Sequence, residues 1–216
     1  MTRNIIWLLA FICFLPAVGH AETVVRTGDE IVVNTDQQVD GDFYVSARTT
    51  AMSGLVAGDM YAVGNTVAVN GEVGEDVSAL ARVFDFYAST TDDVRVLAGE
   101  VVVAGAIGGD LFVIGGTVDV LSSARIAGNV YVFAVDATID GPVAGSIYGS
   151  AERLRVDSTV GGNVTVDVPA GLTLGDGAAI AGDVSYQSRV PIVRSQNSSV
   201  TGDVIERPLP DTSAVD

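Results

Sequence analysis

A marker of one small or acidic residue, then Asp, then an apolar residue returns along this chain at a fixed interval. It stands at Gly41-Asp42-Phe43, Gly58-Asp59-Met60, Glu75-Asp76-Val77, Asp92-Asp93-Val94 and Gly109-Asp110-Leu111, with starts 17 residues apart. It continues, with Asn or Ser in some Asp slots, at Gly128-Asn129-Val130, Gly145-Ser146-Ile147, Gly162-Asn163-Val164, Gly182-Asp183-Val184 and Gly202-Asp203-Val204, with steps of 19, 17, 17, 20 and 20. A period of this length constrains the fold strongly, because one unit cannot bury an apolar face alone and must stack on its neighbours. The extra residues fall around 121–125, 168–177 and 189–199 and read as enlarged corners.

Within a unit, apolar residues occupy alternate positions. Phe43 and Val45, Val94 and Val96, and Leu111 and Val113 form one pair per repeat. Val67 and Val69, Phe84 and Phe86, and Val101 and Val103 form a second. A third apolar spot recurs at Val56, Val73, Ile107, Ile126, Val143, Val160, Ile180 and Val200. Alternation with period two is the mark of a strand with one buried face. Glycines such as Gly64, Gly71, Gly105, Gly116 and Gly161 fall between the strands, where corners are expected to need backbone angles that other residues avoid. The sequence therefore predicts an all-β fold: a single-stranded parallel β-helix of three short strands per coil, in about ten coils of 17–20 residues. A β-sandwich also repeats short alternating strands but does not hold a fixed phase.

The domain plan follows. Residues 1–21 read as a signal peptide: Arg3, an apolar run from Ile5 to Val18, and Gly19-His20-Ala21 before cleavage. Residues 22–40 read as an N-terminal cap or first imperfect coil, 41–205 as the repeat domain, and 206–216, with Pro208 and Pro210, as a flexible tail. Export to the periplasm or cell surface is the expected location. No integral membrane segment is expected after cleavage, because no other apolar run is long enough to span a bilayer.

Trp7, Cys13 and His20 are the only residues of their kinds, and all three lie in that leader. The remaining chain then lacks a Cys nucleophile, a His base and a His or Cys metal site. Neither enzyme activity nor a cofactor is expected. The formal charge is −16, and losing Arg3 makes the cleaved chain more acidic still. Such a surface repels nucleic acid and anionic lipid.

The rhythm of Gly58-Asp59-Met60-Tyr61-Ala62-Val63-Gly64-Asn65-Thr66-Val67 and of Gly109-Asp110-Leu111-Phe112-Val113-Ile114-Gly115-Gly116-Thr117-Val118 resembles that of the bactofilins, the polymer-forming cytoskeletal proteins, over roughly Gly41 to Val204. The resemblance implies a right-handed parallel β-helix of triangular section, nucleotide-independent polymerisation through the helix ends, and a scaffolding role. Typical bactofilins are cytoplasmic; the leader places this chain closer to the exported bactofilin-like proteins.

Two columns of side chains are the candidate sites. Asp42, Asp59, Asp76, Asp93 and Asp110 share one slot in five successive units, stacked about 4.8 Å apart. Hard cations such as Ca²⁺ take several carboxylate oxygens. The preferred reading is nevertheless a corner acceptor for backbone N–H groups, since Asn129, Ser146 and Asn163 replace Asp in the slot and share only a short acceptor. Tyr44, Tyr61, Phe112, Tyr131 and Tyr148 form an outward column, interrupted by Ser78 and Arg95. It is a candidate interaction face for envelope polysaccharide or protein. The leading functional expectation is a non-enzymatic, self-associating envelope scaffold. An adhesion or polysaccharide-binding module is the alternative, and a polysaccharide-active β-helix enzyme the third reading.

Overall fold

The computed structural model describes residues 23–209; residues 1–22, which hold the expected leader with Trp7, Cys13 and His20, and residues 210–216 lie outside them. Every strand pairing is parallel, and the chain forms the expected β-solenoid. It has eleven coils, in keeping with the expected number of about ten, with the segment 22–40 supplying the first. Their leading strands start at Val24, Phe43, Met60, Val77, Val94, Leu111, Val130, Ile147, Val164, Val184 and Val204. These starting residues are partners in one unbroken line of register from the first coil to the last. The first of them counts as a coil because Val24–Val33 and Gln38–Val39 pair in register with the coil that follows.

Each coil has three faces. On face A the third and fifth residues of the repeat point inward and the fourth and sixth outward. In coils 1 to 8 faces A and B are one ten-residue strand, such as Val77–Phe86, bent between its halves. The expected break is absent there because small residues, Ala47, Gly64, Ala81, Ala98 and Gly115, carry the chain around that corner with little bulk. In coils 9 and 10 the strand divides into Val164–Asp167 and Leu172–Leu174, then Val184–Gln187 and Val193–Arg194, where the repeat lengthens. Face C is a two-residue strand per coil, reduced to isolated bridges at Val143, next to Pro142. The Arg125 guanidinium donates to the Ala124 carbonyl beside that proline, at 2.7 Å.

The interior is a set of ladders. Phe43, Phe84, Phe86, Met60, Leu111, Ile139 and Leu172 are fully buried. Volume is balanced within a coil: coil 4 carries Phe84 and Phe86, ring centroids 6.2 Å apart, opposite the small Ala79. The segment expected as a tail begins tied down. Arg207 donates to the Val166 carbonyl at 2.9 Å and to Asp167 at 2.6 Å, and Gln187 donates to the Pro208 carbonyl at 3.1 Å.

The glycines need a different account from the one expected. Among the described residues only Gly149 and Gly171 have positive φ, and neither is one of the corner glycines named above. The glycine before the Asp slot instead leaves room for the coil below. A Cβ on Gly58 would lie 2.5 Å from Asp42 Oδ1, and one on Gly145 would lie 2.6 Å from Asn129 Oδ1. Gly145→Ala should therefore destabilise the protein by about 1–3 kcal/mol, the range for overpacking, although Ala is the better strand former. A urea melt checks this, and an unchanged midpoint would overturn the steric account.

Candidate functional site

The Asp column resolves into a hydrogen-bond ladder between coils. Asp42 Oδ1 accepts the Asp59 N–H at 3.2 Å, Asp59 accepts Asp76 N–H at 2.9 Å, Asp76 accepts Asp93 N–H at 2.9 Å, and Asp93 accepts Asp110 N–H at 2.7 Å. Asp110 accepts both the backbone and side-chain N–H of Asn129, at 2.6 and 3.2 Å. The ladder continues through Asn129, Ser146, Asn163 and Asp183 to Asp203. Each acceptor thus serves the next coil, not its own turn, and in most coils a glycine one residue earlier in that next coil makes the gap it reaches through; Glu75 and Asp92 hold that place in coils 4 and 5. Any residue with a short acceptor meets the need, which is why Asn and Ser replace Asp.

Only the second carboxylate oxygens remain for other work. Asp59 Oδ2 accepts the Tyr61 hydroxyl at 3.0 Å, and Arg95 bridges the Oδ2 atoms of Asp76 and Asp93. Asp76, Asp92 and Asp93 lie close enough to share a cation, but the guanidinium already occupies the oxygens of two of them.

Hydrogen bonding to the Asp59 carboxylate, with burial, pushes the Tyr61 phenol up to about 12. The neutral phenol is what the fold favours, so its stabilisation is complete below the ordinary tyrosine value near 10. It is lost as pH rises through about 12. Another contrast lies at a corner of coils 7 and 8. Burial and the neighbouring Asp157 hold Asp140 above the usual carboxylate range, while the Gly177 N–H and Arg155 hold Asp157 below it. Both sit on an outer corner of the solenoid.

Face A carries the aromatic column where the repeat places it. Tyr44 and Tyr61 stack with centroids 4.6 Å apart and planes 11° apart, and Tyr131 and Tyr148 stack at 5.5 Å. Phe112 meets Tyr131 at 6.3 Å. The structure adds a second column, two residues further along, that sequence reasoning missed. Val63, Leu80, Leu97, Ile114 and Phe133 point outward in five successive coils, each between 39% and 49% exposed. Phe112 and Phe133 join the columns, at 5.9 Å. Where Ser78 interrupts the aromatics there is a depression of about 370 Å³, flanked by Tyr61, Leu80, Leu97 and Phe112. Across coils 2 to 8 Arg95 is the sole charged residue in the two outward columns, and it is ion-paired.

An apolar face of this length on an acidic protein is a candidate contact surface. Tyr44 and Tyr61, and Tyr131 and Tyr148, cover one another's faces, while Phe112 tilts against Tyr131 and Phe133, so few open ring faces are left on the column. Sugars pack on open ring faces, whereas another protein surface packs on edges and aliphatic groups alike.

Two measurements test the ladder. Asp110→Asn should leave the urea midpoint nearly unchanged, while Asp110→Ala should lower stability by about 1 kcal/mol through the orphaned Asn129 N–H. Calcium after chelator treatment should leave both melting temperatures unmoved, and a rise in the wild type alone would assign the column to cation binding. Separately, ultraviolet titration should find one tyrosine ionising near pH 12, and Asp59→Asn should move that transition down toward the ordinary value near 10. Comparison of the chain with protein-family models, with curated proteins and with solved structures gives no match in any of the three.

Proposed function

We propose that this protein is a non-enzymatic structural component of the bacterial cell envelope, a β-solenoid that assembles end to end into a scaffold. The observation that carries the reading is the pairing of charges at its two ends. The first strand, Val24–Val33, and the last, Val204–Glu206, each have one neighbour among the described residues and one bare edge. Bare edges invite another strand. In the inward column that holds Val45, Val96, Val113 and Val132, the first coil places Arg26 and the last places Glu206.

Arg26 lies over the Phe43 ring, 5.6 Å from its centroid, and Glu206 accepts the Tyr186 hydroxyl at 3.2 Å. Continuing the register across a head-to-tail junction sets Val204 beside Val24, Ile205 beside Val25, and Glu206 beside Arg26, about 4.8 Å apart. Two like ends would instead oppose Arg to Arg or Glu to Glu. The charges therefore select one polarity of assembly and disfavour the others. Val25 (68% exposed) and Ile205 (46%) supply apolar area at the same junction. Cleavage after Ala21 would leave two residues ahead of the first strand and so free its edge. The acidic composition and the leader expected in residues 1–21 are what favour an exported setting.

Electron microscopy and sedimentation of the purified protein test this reading. Wild type should form polar filaments or short end-to-end oligomers. Glu206→Arg or Arg26→Glu alone should abolish them, and the two together should restore them. Single variants that assemble as well as wild type, or a wild type that stays monomeric at all salt concentrations, would overturn it.

A further inference from the structure

Face A offers a contact of a different kind, along the side of the solenoid and independent of its ends. We propose that face A pairs with face A of a second copy, the two solenoid axes antiparallel and the two-fold axis passing between coils 5 and 6. The argument rests on a knob and a hole on the same surface. The hole is the depression over Ser78 in coil 4 and Arg95 in coil 5, between Tyr61 and Phe112. The bulk is in coil 7, where Tyr131 and Phe133 stand in the two outward columns. A two-fold contact requires that residue i meet j and j meet i.

With the axis between coils 5 and 6, coil 4 of each copy faces coil 7 of the other. Tyr131 then enters the Ser78 depression, and Leu80 meets Phe133. Leu97 meets Ile114, and the Arg95 guanidinium lies over Phe112, a cation–π arrangement. Val63 faces Ser150 at the rim. The neighbouring registers are worse. Half a coil toward the N-terminus sets Arg95 against Arg95. Half a coil toward the C-terminus sets Val63 against Asp167. Parallel axes would put the depression against itself and Tyr131 against Phe133.

Charge and area bear on the occupant. Copies with a formal charge of −16 repel on most sides, whereas this face presents no acid from coil 2 to coil 8 and one paired Arg. Seven coils at about 4.8 Å by five residues at about 3.3 Å give roughly 500 Å² per copy, near the lower bound for a specific interface. The dimer is accordingly weak and reversible, and gains strength where many copies lie side by side.

Chemical cross-linking tests the register. The chain's one cysteine, Cys13, lies outside the described residues and is replaced by Ser in every variant, so single introduced cysteines report cleanly. Val63→Cys and Ser150→Cys, both at outward positions, are each made in the Glu206→Arg background to suppress end contacts. A bismaleimide with a reach of about 10 Å, the separation of packed sheets, should cross-link an equimolar mixture several-fold more than either variant alone. Like positions lie five coils apart in the antiparallel pair, about 24 Å, beyond that reach. Leu97→Glu, which leaves the core untouched, should abolish the product while circular dichroism and melting temperature hold. Three results would overturn the proposal: no cross-link above that of the unfolded chain in urea, Val63→Cys alone cross-linking as well as the mixture, or Leu97→Glu without effect. End-to-end filaments are read separately in the protein with Glu206 intact, so failure of one contact does not mimic failure of the other.

Discussion

Everything in this protein follows from the need to repeat one backbone path about 4.8 Å above itself. A parallel coil leaves its N–H and C=O groups pointing along the solenoid axis, and only the next coil can satisfy them. Strands do this readily, but corners do not, because chains turning there lose the ladder. The side-chain acceptors from Asp42 through Asp183 close that gap at one corner of each coil, each reaching the N–H of the coil above. Gly58, Gly109, Gly128, Gly145, Gly162, Gly182 and Gly202 are the complementary half of the device in seven coils, since a Cβ there would lie within 2.6 Å of the acceptor below, while Glu75 and Asp92 hold that place in coils 4 and 5. Two chemically unlike residues recur together because they serve a single contact.

The same vertical register decides what the sequence makes legible. The inward columns could be read directly, since a fixed phase and period-two alternation assign Phe43, Val45, Val67 and Val69 without ambiguity. The outward apolar column was hidden by the segments that carry it. In Val77-Ser78-Ala79-Leu80-Ala81 and Leu111-Phe112-Val113-Ile114, apolar residues occur at both parities, so alternation alone absorbs Leu80 and Ile114 into the core. Counting from the Asp slot would have exposed them, because the residue four places on always faces out. The fusion of faces A and B was hidden for the opposite reason: alanine and glycine at the corner look like a break and act as a low-bulk bend.

The ends illustrate a limit of another kind. Arg26 and Glu206 look like ordinary surface charges in a linear sequence. Their inward placement follows only from the register of Val24 with Phe43 and of Val204 with Val184, and neither the 19-residue offset of the first coil nor the loosened corners of the last can be phased from composition. The marker triplet is missing from the first coil, which is why it reads as an imperfect cap. Its strand nonetheless pairs over nearly its whole length.

Charge then separates two directions of contact. Along the axis, the proposed junction is polar and selective because the two ends carry opposite charges, Arg26 held on an aromatic ring and Glu206 on a phenol. Across the axis, face A excludes acid from a chain otherwise rich in it, so it is the side on which two copies approach without full repulsion. Beyond about 8–10 Å at physiological salt the remaining charge is screened, and apolar contact at short range governs. In the proposed assembly the axial junction builds a filament and face A joins two such filaments antiparallel; each copy has a single face A, so the lateral contact closes at a pair.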